Sequence, residues 1–214
     1  MSEIEQGSSE WFAARLGKAT ASRMGDLSAR KSGGWGASRA NYMAQLVAER
    51  LTGVAAASFT NAAMQWGTAM EPEARTAYEF YAGVTVTEIG FIDHPHIAMS
   101  GGSPDGAIDD NGLLEIKCPN TSGHIETLLG ASIDGGYIKQ MQYNLACSGR
   151  QYCDFVSYDP RLPERMRLFI KRVPRDSKII ADLERDVREF LAELDGKVAA
   201  LIKLYGASDV ATAA

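Results

Sequence analysis

The stretch that most limits what this chain can fold into is residues 101–117, Gly-Gly-Ser-Pro-Asp-Gly-Ala-Ile-Asp-Asp-Asn-Gly-Leu-Leu-Glu-Ile-Lys. Asn111-Gly112 tolerates positive φ at both centres of a tight turn, so residues 107–109 and 113–117 are expected to pair as antiparallel strands. Side chains alternate faces along a strand, which sets Glu115 and Lys117 on one side and Leu114 and Ile116 on the other. Asp105, at the far end of the partner strand, can join the charged pair. Two carboxylates and the Ile116 carbonyl form a hard-oxygen donor set suited to Mg²⁺. A metal there would polarise a phosphate, with the Lys117 ammonium orienting a water and countering the charge of the transition state. The same spacing also describes a hairpin with a solvated charged face, because Glu-x-Lys is common in strands. Local sequence leaves both readings open.

Composition limits the alternatives. A chain of 214 residues, 45% of them hydrophobic, suits one domain with a packed core. The formal net charge of -5 excludes DNA binding by bulk positive charge, so any nucleic-acid site must be local. The basic stretch 161–178 reads more readily as the outer face of two strands than as a DNA contact. Cys118, Cys147 and Cys153 lack metal-ligand spacing, and no apolar signal region follows the acidic start, which fits a reducing cytoplasm. No continuous apolar run is long enough to span a membrane.

Periodicity places the remaining elements. Ser8-Ser9 caps a short helix stopped by Gly17 and carrying Arg15 near its end, and Thr20-Ala21-Ser22 begins another turn whose hydroxyls can hold a phosphate beside Arg15. Residues 29–38 read as a flexible basic loop containing Arg30 and Lys31. A helix runs from Ser38 to Leu51 and stops at Gly53, and another runs from Thr60 to Tyr81. Gly67 and Pro72 suggest that the second is bent or in two pieces, with Glu71 at the N-terminus of the latter half. Residues 84–93 alternate as a strand, and His94-Pro95-His96 reads as an exposed turn. Helices follow over 122–129, with His124 on the surface, and from Gly135 through Leu145, where Tyr137, Gln140 and Asn144 share a polar face and Gln142 is open to either reading. A strand pair (152–158, 166–173) and a long amphipathic helix ending near Gly206 complete the chain. The expected architecture is α/β, a sheet flanked by helices. Residues 1–206 would form a single domain, with N-terminal helices over 8–83, an α/β core over 84–175, a C-terminal helix over 176–205 and a tail over 207–214.

Seven motifs stand in order: Trp11 with Arg15-Leu16-Gly17; Thr20-Ala21-Ser22; Trp66-Gly67 with Glu71; Ser103-Pro104-Asp105-Gly106; Glu115-Ile116-Lys117-Cys118-Pro119; Gln140-Met141-Gln142-Tyr143; and Tyr158-Asp159-Pro160-Arg161. Together they resemble the phage lambda exonuclease family, within the PD-(D/E)xK nuclease superfamily, which implies an α/β restriction-endonuclease-like core with a central mixed β-sheet flanked by helices. The resemblance implies a Mg²⁺-dependent exonuclease, with two ions and Mn²⁺ able to substitute. It would degrade duplex DNA ends 5′ to 3′, releasing mononucleotides and leaving a 3′ single strand. It further implies a ring-shaped homotrimer, a single-strand annealing recombinase as partner, and a phage or prophage protein in the bacterial cytoplasm. Position by position, it makes Asp105 and Glu115 metal ligands, Lys117 the catalytic lysine, Glu71 an added acid and Gln140 an active-site glutamine. Arg15 and Ser22 match phosphate-binding positions, Met64 an apolar wedge, and Tyr137 joins the DNA-binding face. The arginine for the terminal 5′ phosphate falls in the loop of Arg30 and Lys31, where the patterns need a gap. A sequence-specific endonuclease with the same core and a non-catalytic DNA-binding module are the alternatives, the latter disfavoured by intact Asp105, Glu115 and Lys117.

Overall fold

A single strand, Gly112–Lys117, carries most of the charged motif and lies in the middle of a five-stranded mixed sheet. The structure, a computed structural model, describes residues 5–32, 34–56 and 61–206. The chain begins with α1 (Ser9–Arg15), β1 (Ala19–Thr20), a 3-10 turn (Ala21–Arg23), α2 (Met24–Leu27) and a hairpin of β2 (Arg30–Lys31) and β3 (Gly34–Trp35). Next come α3 (Ala37–Thr52), α4 (Ala62–Ala82), β4 (Val86–Thr87), β5 (Ile92–Asp93), β6 (Ser100–Gly102), β7 (Gly106–Ile108) and β8 (Gly112–Lys117). The chain then forms α5 (Thr121–Leu128), α6 (Gly135–Ser148), β9 (Tyr152–Tyr158), a second 3-10 turn (Glu164–Met166), β10 (Leu168–Pro174) and α7 (Ser177–Tyr205). The main sheet runs β10-β9-β8-β7-β4, antiparallel except where β8 meets β9. β1, β6 and β5 form a second small sheet that delivers the chain into β7.

Alternation on β8 divides the core as its sequence predicts. Leu114 and Ile116 pack with Ala74 and Tyr78 of α4 on one face. Leu113, on the other, packs with Met141 and Leu145 of α6. The opposite side of α6 contributes Tyr143 and Cys147 to a third cluster with Tyr42 and Leu46 of α3 and Val187 and Phe190 of α7. α6 is therefore enclosed between two apolar layers, and every residue from Met141 to Cys147 is buried.

Several expectations fail for reasons that local sequence does not carry. The hairpin turn is not built on Asn111-Gly112. Ile108 pairs with Gly112, which leaves a three-residue loop in which Asp109 takes the left-handed φ of 46°. Gly112 is needed for a different reason, since a Cβ there would lie 2.4 Å from the Tyr152 ring. α4 passes through Gly67 and Pro72 as one helix, so Glu71 sits mid-helix and loses the helix-end charge assigned to it. Asn61 caps that helix by accepting from the Met64 N–H at 2.9 Å; the expected start at Thr60, like the tail 207–214, lies outside the described residues. The single strand expected over 84–93 is two short strands in different sheets.

Two histidines expected at the surface are buried. The His124 Nε2–H donates to the Met166 carbonyl at 2.8 Å, so Nδ1 accepts from the Ser157 hydroxyl at 2.7 Å. His94 lies against Tyr143 with its Nε2 3.4 Å from Glu184; His96 is exposed, as expected. Gln142 is buried too, donating to the Pro174 carbonyl and accepting from the Asp176 N–H, both at 2.8 Å, so that α6 holds β10 to α7. In the basic stretch, Arg172 grips Asp154 through two bonds of 2.8 and 2.9 Å, and Arg175 covers the Leu145 and Arg150 carbonyls. Both arginines therefore hold the fold.

Candidate active site

The site begins where β6 becomes β7. Asp105 follows Pro104, donates its N–H to the Leu114 carbonyl at 3.1 Å and accepts the Ile116 N–H on Oδ2 at 2.6 Å. In an extended strand the N–H and C=O of one residue leave from the same edge, so the Ile116 carbonyl faces the Asp105 side. Glu115 is fully buried on the face covered by α6. Its Oε1 accepts from the Lys117 ammonium at 2.5 Å and from the Gln140 amide at 2.6 Å, while its Oε2 is buried without a hydrogen-bond partner among the described residues.

These contacts set the electrostatics. Burial pushes the Glu115 carboxyl up to about 7, against the pull of Lys117 and helped by Asp105. Asp105 is raised by burial as well, and Glu71 by burial and then by Asp105. Burial opposes the charge on Lys117, yet Glu115 and Asp105 more than offset it and hold the ammonium more firmly than in water. Lys117 also lies 4.9 Å from the centre of the Tyr137 ring. Three acids above their ordinary pKa values beside one lysine make a pocket short of positive charge.

Glu71 stands slightly apart, bonded to Arg75 at 3.0 Å, while Arg75 also contacts Glu88. Among the described residues no three His, Cys, Asp or Glu side chains converge on one point. The donors facing one another are therefore two carboxylates and a main-chain carbonyl. This set fits a hard divalent cation, and the unsatisfied Glu115 Oε2 is the atom such a cation would satisfy.

A second cluster lies at the other end of the Ser103-Pro104-Asp105 link. The Arg15 guanidinium stacks on Trp11 at 4.0 Å and donates to the Ser103 hydroxyl at 3.1 Å and to the Ser22 hydroxyl at 3.5 Å. The Trp11 indole N–H also donates to Ser103, at 3.0 Å. Half-burial lowers the Arg15 pKa, but a guanidinium remains charged. Sequence reasoning gave no role to Ser103 or Trp11, although both lie within quoted motifs; their meeting depends on a contact 92 residues apart.

The other sequence candidates are more scattered. Arg30 stacks on Trp35 at 4.0 Å and pairs with Asp186 at 2.8 Å, so its charge already has a partner. Lys31 is exposed on the β2–β3 hairpin. Met64 is exposed in the first turn of α4, and Tyr137 is exposed in the first turn of α6.

Both clusters fall inside a match to known proteins. A family model described as YqaJ-like viral recombinase domain matches residues 10–151. An alkaline exonuclease, LHK-Exo from Laribacter hongkongensis, is 53% identical with a TM-score of 0.86 over 92% of this chain and 97% of its own. A structure of LHK-Exo in complex with dAMP gives 52% identity and the same TM-score and coverage. A phage-related exonuclease from Haemophilus somnus 129PT has a TM-score of 0.71 at 16% identity over 86% of this chain and 96% of that one, which shows a shared fold. No curated protein gives a significant match. The resemblance drawn from the seven motifs agrees with these findings: the chain belongs to the YqaJ-like viral recombinase domain family.

Proposed function

We propose that this chain is a divalent-metal-dependent exonuclease that degrades double-stranded DNA ends from 5′ to 3′, releasing 5′-mononucleotides and leaving a 3′ single strand for recombination. The observation that carries this reading is the buried Glu115 carboxylate near Asp105, with one oxygen held by Lys117 and Gln140 and the other without a partner among the described residues. Asp105, Glu115 and the Ile116 carbonyl would hold Mg²⁺, two ions in the working enzyme with Mn²⁺ able to substitute. A metal held there would supply polarisation of the scissile phosphate and a lowered pKa for a bound water.

The chain's own residues do the rest. Gln140 fixes the rotamer of Glu115. Lys117 places positive charge where negative charge develops on the phosphate and orients the attacking water. Glu71 is an added acid at the rim, able to exchange Arg75 for water or a second cation. Arg15 offers a planar fork of donors with Ser22 and Ser103 alongside, the chemistry that receives a terminal phosphate. We assign the 5′-phosphate contact to Arg15, because Arg30 is engaged by Asp186. Met64 is the apolar wedge at the duplex end, and Lys31 a contact to the duplex beyond it. A ring-shaped homotrimer around the DNA reconciles a net charge of -5 with persistence on a polyanion, because topology replaces bulk attraction. A single-strand annealing recombinase in the cytoplasm of a phage-bearing bacterium is the partner this product requires. Among the described residues no helix is long and apolar enough to cross a membrane.

The test uses Mg²⁺ and three DNAs: linear with 5′ phosphate, linear without it, and closed circular. The first should be digested to mononucleotides, the second more slowly, and the circle not at all. Cutting of the circle would establish an endonuclease instead, and a competitor trap that stops digestion after a few nucleotides would rule out the ring.

A further inference from the structure

Gly101 and Gly102 open the central motif, touch neither cluster of the site, and do not take a left-handed φ. Close approach is what requires them. A Cβ on Gly101 would overlap the Phe91 ring, and a Cβ on Gly102 would overlap Oδ1 of Asn144. β6 therefore threads between α6 and Phe91, whose ring centre lies 5.8 Å from the Arg15 guanidinium. Ser100, on the same face of the strand as Gly102, bonds the Tyr143 hydroxyl of α6 at 2.5 Å. A Cβ on Gly102 would also lie 3.1 Å from Cβ of Ala21, the neighbour of Ser22. The chain leaving this clamp becomes Ser103, Pro104 and Asp105.

Asn144 is fully buried, and neither polar atom of its carboxamide has a hydrogen-bond partner among the described residues. Burying an unbonded amide costs stability, so what the side chain supplies is bulk, placed against the main chain of Gly102. It stands one helical turn after Gln140, which holds Glu115, so one face of α6 touches both sides of the site. Those sides respond differently to a shift of β6. Asp105 is anchored to β8 by its own N–H and by the Ile116 N–H. Ser103 is held through its hydroxyl, by Trp11 and Arg15, and takes its place from the strand before it. We infer that Asn144 is a positioning residue: by filling the space against Gly102 it sets where Ser103 stands, and so how well the Arg15 cluster tells a phosphorylated 5′ end from an unphosphorylated one. The inference rests on the proposed exonuclease function and on the phosphate role of Arg15 within it. A smaller side chain at 144 lets β6 move toward α6, and a Cβ at 102 pushes it away. Either change displaces the Ser103 hydroxyl from an anion shared with Arg15, and the two together offset each other.

Initial rates of the whole chain on linear duplexes with and without a 5′ phosphate, in excess Mg²⁺, give a preference ratio. Because both rates come from one preparation, any unfolded fraction cancels. Asn144→Ala should lower the ratio about tenfold, the loss expected when a hydrogen bond to a charged group is misplaced. Gly102→Ala should lower it similarly. The double variant should return to within about threefold of the unaltered ratio, because the new Cβ enters the space that Asn144→Ala opens. Asn144→Ser repeats the test with less loss of volume. An unchanged ratio in both Asn144 variants, or a double variant as low as the product of the two single losses, would overturn the inference. Arg15→Ala separates this from the reading beneath it. Preference lost there but kept in the Asn144 variants sinks the inference alone. Preference kept in Arg15→Ala, or absent from the unaltered chain, sinks the phosphate role of Arg15 as well.

Discussion

The two helices that cover the faces of the central sheet differ in how they hold what they bring to the site. α6 is buried along seven consecutive residues and locked at both sides, through Met141 and Leu145 to the sheet and through Tyr143 and Cys147 to α3 and α7. Gln140, one residue before that buried run, therefore meets Glu115 with little freedom to move. α4 buries only Ala74 and Tyr78 over 21 residues. It presents Glu71 from a helix that one face alone secures, and Glu71 already has Arg75 as partner. A residue whose backbone is fixed on two sides can define geometry. One fixed on a single side can adjust to a cation or a strand entering the site.

That contrast yields graded expectations. The largest effect belongs to Lys117→Ala, which should lower cleavage about 10³-fold or more while DNA binding in Mg²⁺ stays within a few fold. Single-turnover digestion and filter binding measure the two, and near-normal turnover would refute the role of Lys117. Gln140→Ala should follow, with a loss of about 10²-fold, since it removes one of the two donors on Glu115 Oε1 and frees the rotamer of that carboxylate. Glu71→Ala should cost only about tenfold and be partly recovered at high Mg²⁺. If Glu71→Ala proved more damaging than Gln140→Ala, the distinction between the two helices would be wrong.

The pH dependence is smaller and has a definite sign. Glu115 is raised from 4.5 to about 7, so its favourable contribution to folding is complete below about pH 4.5 and is lost as pH rises through about 7. The metal-free protein should lose thermal stability across that window, and Glu115→Gln should remove this part of the slope. Metal binding needs the ionised carboxylate, so Mn²⁺ affinity should rise over the same window and be abolished in Glu115→Gln. Least consequential for activity is Gln142→Leu. It strands the Pro174 carbonyl and the Asp176 N–H and should cost about 2 kcal/mol of stability with kcat unchanged, as urea unfolding beside steady-state assays would show.

What the sequence made legible was the part written in local pattern. α3 stops at Gly53 with the left-handed φ expected of it, Ser8 caps α1, and alternation put Glu115 and Lys117 on one face of β8. Asp105, Glu115 and Gln140 converge because one hairpin and α6, the second helix after it, supply them. The remainder depended on partners distant in sequence. His124 is buried because Ser157 and Met166 satisfy both ring nitrogens, 33 and 42 residues away. Gln142 is buried because β10 and α7 meet beneath it. Pro72 stays inside α4 although such a proline costs about 3 kcal/mol, with Ala74 and Tyr78 packed on the sheet just beyond it. Ser103 joined the Arg15 cluster only when β6 was laid beside β1, a parallel pairing that no short-range signal announces.

The central claim is that Glu115 Oε2, without a partner among the described residues, and the carboxylate of Asp105 form a metal site. Crystals soaked in Mn²⁺ and measured for anomalous scattering test it most directly. The account predicts a peak within coordination distance of Asp105, Glu115 and the Ile116 carbonyl, absent in Glu115→Gln. A Mn²⁺-active enzyme whose only peaks lie elsewhere would contradict it.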